Sequence, residues 1–140
     1  MSTRLHLQLV TPTGTLMDRE VDSVTLPTRV GEITILPDHA PLVSVLSAGE
    51  ATIADGSSKT PFVVAGGVVE VFQNTVAVLA DTAEEPTAID VKAAEENAKK
   101  LAAKIAAEPV MDSAVYAALL NDLDRERAKI NIGKKWQKIQ

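Results

Sequence analysis

The sequence predicts an α+β chain: an all-β sandwich or barrel over residues 1–85, then an antiparallel α-helical hairpin over residues 86–140. Three observations carry this. Before residue 86 the apolar residues fall in short runs, several of them alternating, separated by turn-forming residues. No amphipathic window of helix length occurs in that stretch. After Glu84-Glu85-Pro86 the apolar spacing changes to three and four, with one break at Glu108-Pro109.

Leu5, Leu7 and Leu9 alternate with His6, Gln8 and Val10, the pattern of a half-buried strand. Thr11-Pro12-Thr13-Gly14 supplies a turn, because Pro12 fixes φ and Gly14 tolerates positive φ. Further strands are expected at Val21–Leu26, Ile33–Leu36, Leu42–Leu46, Ala51–Ala54, Thr60–Val64, Val68–Phe72 and Thr75–Leu79. Val30-Gly31-Glu32 and Asp55-Gly56-Ser57 suit tight hairpins. Pro37 and Pro41 bracket Asp38-His39-Ala40 and forbid regular pairing there. Gly66-Gly67 opens a strand rather than a helix, so it reads as a bulge or a close backbone approach and not as a phosphate loop.

In the second half Thr87 is placed to cap a helix, and Asp90 puts a carboxylate in its first turn. Val91, Ala94, Ala98, Leu101 and Ile105 then form one apolar stripe. Pro109 disfavours helical geometry at Glu108 and ends this helix. Asp112 or Ser113 caps a second helix, whose stripe reads Tyr116, Leu119, Leu120, Leu123, Arg127 and Ile130, with Gly133 as its stop. A thin, Ala-rich seam makes such a hairpin marginal alone, so it needs a partner surface.

Composition excludes several classes. The chain has no Cys, which removes thiol nucleophiles, disulfides and Cys-ligated metals, and its two histidines are far apart. No continuous apolar segment resembles a signal peptide or a membrane span, so a soluble protein is expected. Residues 1–85 carry four basic and eleven acidic side chains, residues 86–140 ten and eight. His39 with Ser44 or Ser47 lacks a nucleophile-elbow pattern, and Asp81, Glu84 and Glu85 read as a solvated strand exit rather than a metal site. The basic tail has only Trp136 beside it, too little for stacking nucleic-acid bases. A free-standing carbohydrate-binding sandwich is the alternative of another class. The scarcity of aromatics, 3% of residues, argues against it.

Three motifs in order carry a family resemblance. Gly31-Glu32-Ile33-Thr34-Ile35-Leu36-Pro37-Asp38-His39-Ala40-Pro41-Leu42 resembles G-E-L-G-I-L-P-G-H-A-P-L. Val64-Ala65-Gly66-Gly67-Val68-Val69-Glu70-Val71 resembles S-G-G-x-x-E-V, and Val76 to Glu84 resembles V-x-V-L-A-D-x-A-E. All three are similar to the epsilon subunits of F-type ATP synthases, the homologues of chloroplast epsilon and mitochondrial delta subunits. Thr34 and Asp38 depart from the family's glycines; Asp is among the residues best able to keep a left-handed turn.

The resemblance implies a non-catalytic rotor subunit with no cofactor and no metal. It would bind the gamma subunit and the ring of c subunits, and couple proton- or sodium-driven rotation to ATP synthesis. The family's interface maps onto Gly31, Glu32, Asp38, His39, Ala40, Pro41 and Leu42. The hairpin resembles a regulatory element that folds down or extends to the alpha and beta subunits of the catalytic head. There the basic cluster Arg125, Arg127, Lys129, Lys134 and Lys135 would hinder hydrolysis. Some bacterial members bind ATP through an I/L-D-x-x-R-A motif. Here Ile89, Asp90 and Ala94 match, with Glu84, Lys92 and Lys100 nearby, but Ala93 replaces the Arg, so weak ATP binding or none is expected. No nucleic acid and no membrane insertion are expected. The implied location is the cytoplasmic face of a bacterial plasma membrane, as a peripheral part of the synthase.

Overall fold

The computed structural model describes residues 3–108 and 110–138. The chain divides into two compact units, Met1–Glu85 and Pro86–Gln140.

The first unit is an eight-stranded β-sandwich. Its strands are β1 (Leu5–Thr11), β2 (Gly14–Val21), β3 (Ser23–Thr28), β4 (Gly31–Ile35), β5 (Leu42–Val45), β6 (Gly49–Asp55), β7 (Ser58–Phe72) and β8 (Thr75–Glu84). The order is β2-β1-β8-β7-β6-β3-β4, with β5 also paired to β7. All pairs are antiparallel except β1 with β8. The alternation read from β1 holds: Leu5, Leu7 and Leu9 are buried. They join Val24, Leu26, Ile35, Ile53, Phe62, Val64, Val69, Val71, Val76 and Val78 in one core. Each such side chain contributes about 1.5–3 kcal/mol on burial.

Three strand expectations are corrected. The run Val21–Leu26 is two strands, because β2 ends at Val21 and β3 starts at Ser23. Between them the Asp22 carboxylate accepts from Gly56 N at 2.6 Å and pairs with Arg4 at 3.3 Å, while Arg4 also binds Asp55. Thr60–Val64 and Val68–Phe72 belong to one strand, β7, which pairs with β6 through Val64 and with β5 from Val68. Gly66 and Gly67 sit at this changeover, with φ of +72° and +110°. The register with β8 is unchanged on either side of them, so the glycines mark a close approach and not a bulge. A Cβ on Gly67 would collide with the carbonyl oxygen of Leu79. The third correction is β2, which the sequence pattern does not reveal; it is an edge strand, exposed along most of its length.

The second unit opens with a turn of 3₁₀ helix, Pro86–Ala88, followed by α1 (Val91–Ala107) and α2 (Ser113–Gln137). Asp90, not Thr87, caps α1: its carboxylate accepts from Ala93 N at 3.1 Å. Thr87 lies in the 3₁₀ turn, so its hydroxyl is one turn too early. Asp112 caps α2, accepting from Ala114 N at 2.8 Å. Pro109, expected to end α1, lies outside the described residues; α1 ends at Ala107 with Glu108 extended.

The helices run antiparallel. Gln137 of α2 donates to the carbonyls of Pro86 and Ile89, at 3.1 and 2.9 Å, and Lys134 pairs with Glu95 at 3.0 Å. Gly133 does not stop α2, which continues to Gln137. It is buried within the helix because Ile89 and Val91 pack where a side chain would stand; a Cβ there would meet Val91 Cγ2 at 3.0 Å. Tyr116 and Arg127 are exposed rather than part of the buried stripe, in which Leu119, Leu123, Glu126 and Gly133 share one face, with Ile132 buried beside Gly133. That spacing of four, three and seven keeps one face toward α1, whereas Arg127 is turned about 100° from Glu126.

Candidate functional site

The interface residues singled out in the first motif fall into two groups. Gly31, at φ +119°, and Glu32 follow the two-residue turn Arg29-Val30 between β3 and β4. Thr28 Oγ1 donates to the Gly31 carbonyl at 2.6 Å and clamps this turn. Val30 stands at its tip, 87% exposed. Asp38, His39, Ala40 and Pro41 follow the other end of β4, about 13 Å away at ~3.3 Å per residue. The structure therefore does not gather all seven residues into one cluster.

β5 runs between the two groups. Leu42, its first residue, closes the loop, and the carbonyl of Val45, its last, accepts from Arg29 N at 3.1 Å. Within the loop Asp38 adopts φ +66°, the left-handed turn expected of the residue replacing a glycine. His39 N donates to Leu36 O at 3.2 Å and His39 Nδ1 lies 2.7 Å from Ala40 O. Thr34 keeps ordinary strand pairing, opposite Thr25.

A surface that the first motif does not mark lies beside this edge. Val45 pairs with Val68, Val68 with Leu79, and Leu79 with Val10. Their neighbours Val69, Val78, Ala80 and Leu9 are buried, so period two turns this row of four outward. Val45 is 42% exposed, Leu79 45%, and Val43, two residues along β5, 71%. Leu16, the extra residue of β2 beside Val10, is exposed too. Scattered exposed aliphatics need no explanation, but a row continuous across adjacent strands marks a surface made to be covered. No clean sequence signal marks it, because the outward positions of β7 and β8 also include the charged Glu70 and Asp81.

The nucleotide-motif residues are used structurally. Asp90 caps α1, Ile89 and Ala94 are buried, and the Ile89 carbonyl accepts from Gln137. Lys100 lies ten residues along α1 from Asp90, about 15 Å at ~1.5 Å per residue, so the two do not converge. Glu84 is the last residue of β8, in the other unit. Ala93 and Lys92 are exposed.

Nor do the basic residues form one patch. Arg125 pairs with Asp122 at 3.5 Å and approaches Glu126 at 3.8 Å, as Lys129 does at 3.9 Å. Arg127 and Lys134, seven apart, share another side of α2. Lys135 lies over the Trp136 ring at 5.4 Å. Among these groups is Glu126 itself, 5% exposed, whose Oε2 has no hydrogen-bond partner among the described residues. Among the described residues no cluster of three or more His, Asp or Glu is arranged to hold a metal ion. None of their helices is long and apolar enough to cross a membrane.

Residues 4–86 match the family model for the β-sandwich domain of the ATP synthase delta/epsilon chain. The chain belongs to that family. Among its relatives is an ATP synthase epsilon chain of Dehalococcoides mccartyi, 37% identical over 135 residues, 96% of each chain. Another, from Chloroflexus aggregans, is 41% identical over 92 residues, 66% of each chain. The delta/epsilon fold recurs in a chain of the Euglena gracilis mitochondrial ATP synthase (OSCP/F1/c-ring), with TM-score 0.76 and 21% identity, covering 91% of this chain and 80% of that one. It recurs also in the central stalk/c-ring structure of the Tetrahymena thermophila enzyme, with TM-score 0.62 and 16% identity over 96% of each chain. The Dehalococcoides and Chloroflexus relatives are ATP synthase epsilon chains, and the sandwich that the family model describes accounts for residues 4–86 of this chain.

Proposed function

We propose that the protein couples rotation of a proton- or sodium-driven c-ring to ATP synthesis, and that its hairpin restrains ATP hydrolysis. The observation that carries the docking part is the outward apolar row Val10, Leu79, Val68 and Val45 on a sandwich of this family. In this reading the gamma subunit covers the row. The Gly31–Glu32 turn and the Asp38–Leu42 loop, at the two ends of β5, bear on gamma and the ring. Loops on a sandwich are suited to this, since a rigid scaffold keeps a rotating contact from slipping. The complex then lies on the cytoplasmic face of a bacterial plasma membrane, with this subunit peripheral.

The restraint is assigned to the second unit. Its seam is thin, and it contains a buried carboxylate oxygen with no hydrogen-bond partner among the described residues, so helix separation costs little. The exposed Arg127 and Lys134 are suited to acidic surfaces of the alpha and beta subunits when α2 extends. ATP is not required as a ligand, because Asp90 is engaged as a cap and no Arg stands at position 93. The test is ATP hydrolysis by the assembled synthase with this chain whole or truncated after Glu85. A higher rate with the complex still assembled supports the restraint; an unchanged rate refutes it.

A further inference from the structure

The Asp38 loop is fastened to the sandwich by the turn that joins β7 to β8. Gln73 and Asn74 form the two-residue turn between β7 and β8, at φ +48° and +64°, flanked by the pair Phe72 and Thr75. Positive φ at both positions is the type I′ geometry that suits the twist of a hairpin. Asn74 uses both ends of its amide on Asp38: Oδ1 accepts from Asp38 N at 2.7 Å, and Nδ2 donates to Asp38 Oδ1 at 3.2 Å. The Asn74 carbonyl in turn accepts from His6 N at 2.7 Å, which ties the turn to β1.

We infer that Asn74 is a positioning residue: it sets the shape in which the Asp38–His39 loop is presented to the rest of the synthase. The chemistry explains the residue type. Glycine would satisfy the turn better, having no Cβ to strain at φ +64°. Asparagine is the side chain that tolerates left-handed geometry while offering an acceptor and a donor side by side. Asp38 presents the matching donor and acceptor. The two partners are 36 residues apart in sequence, so the clasp fixes one loop relative to another. Among the described residues, the loop's other polar contacts, His39 N to Leu36 O and His39 Nδ1 to Ala40 O, stay within the loop.

This inference rests on the loop being part of the docking surface, and the experiment separates the two. Amide exchange is measured in the full chain, together with the affinity of the full chain for synthase depleted of this subunit. The variants are Asn74→Gly, which keeps the turn and removes the clasp, and Asn74→Asp, which sets two carboxylates against each other. Asn74→Asp combined with Asp38→Asn restores the donor–acceptor pair with its ends exchanged. A loop control replaces Asp38, His39 and Ala40 with glycine.

The expected result for Asn74→Gly is exchange of the Asp38 amide and binding each changed by about tenfold, the scale of one net hydrogen bond, with the melting temperature held. Asn74→Asp is worse, and the exchanged pair recovers both readouts. Unchanged Asp38 exchange in Asn74→Gly overturns the inference. So does faster exchange with undiminished affinity while the loop control binds poorly. If the loop control binds as well as the parent chain, the docking reading fails and takes the inference with it.

Discussion

Gly67→Ala removes no contact and adds only a methyl group, yet it should be among the most damaging substitutions in the sandwich. At φ +110° a residue with a Cβ is strained by about 1–3 kcal/mol. The new Cβ also collides with the Leu79 carbonyl oxygen and would sit 2.9 Å from Ala80 Cα and 3.0 Å from Leu79 C. All three atoms are backbone of β8, so no side chain can rotate aside and the strands themselves must part. Losing one or two ladder bonds adds about 0.5–1.5 kcal/mol each. The total is about 2–6 kcal/mol, a large share of the ~5–15 kcal/mol stability of a typical domain.

Gly56→Ala is the internal control. It too has positive φ, +61°, but a Cβ there meets nothing within 4 Å. Its cost should stay near ~1 kcal/mol, the left-handed penalty alone. Thermal melts followed by circular dichroism in the β region distinguish the two. At ~4–8 °C per kcal/mol for a domain of this size, Gly67→Ala should melt at least about 10 °C below the parent chain. Equal melting temperatures for the two variants would refute the steric argument.

Three further predictions concern the helical unit. Glu126→Leu should stabilise the hairpin by about 1–2 kcal/mol in urea unfolding followed by Trp136 fluorescence, because it removes a buried carboxylate with an unpaired oxygen; a loss of stability would show that Arg125 and Lys129 satisfy it. Gly133→Leu should destabilise the same transition by about 1–3 kcal/mol, since Val91 and Ile89 occupy the space the side chain needs; a neutral result would mean that the seam yields freely. Asp90→Ala should cost about 1 kcal/mol and lower the helical dichroism, whereas Thr87→Ala should leave both unchanged.

What the sequence disclosed, and what it hid, follows from the range of the interactions. The strand character of β1 was legible because Leu5, Leu7 and Leu9 alternate with neighbours that stay half-exposed. The left-handed turn at Asp38 was legible from the glycine that the resembling motif has at that position, together with the tolerance of Asp for such a turn. β2 escaped because an edge strand buries little and so shows no period two. Thr87 and Gly133 were misassigned for a shared reason: Thr and Gly mark helix ends only when nothing else competes. Here Asp90 holds the cap, and the space at Gly133 is filled by Val91 from the other helix. The outward row was hidden because its members come from four strands and meet only through pairing. The Asn74 clasp joins two turns that no local pattern connects.

The most direct test of the account is whether the apolar row is covered on assembly. The chain contains no cysteine, so Leu79→Cys places the sole thiol of the chain on that row, and Lys59→Cys places one on an exposed strand end away from it. Maleimide labelling is then compared between the full chain alone and the assembled synthase. The account predicts that both thiols label in the free chain and that only the one at position 79 is protected in the complex. Equal labelling of position 79 in both states would contradict docking through this face.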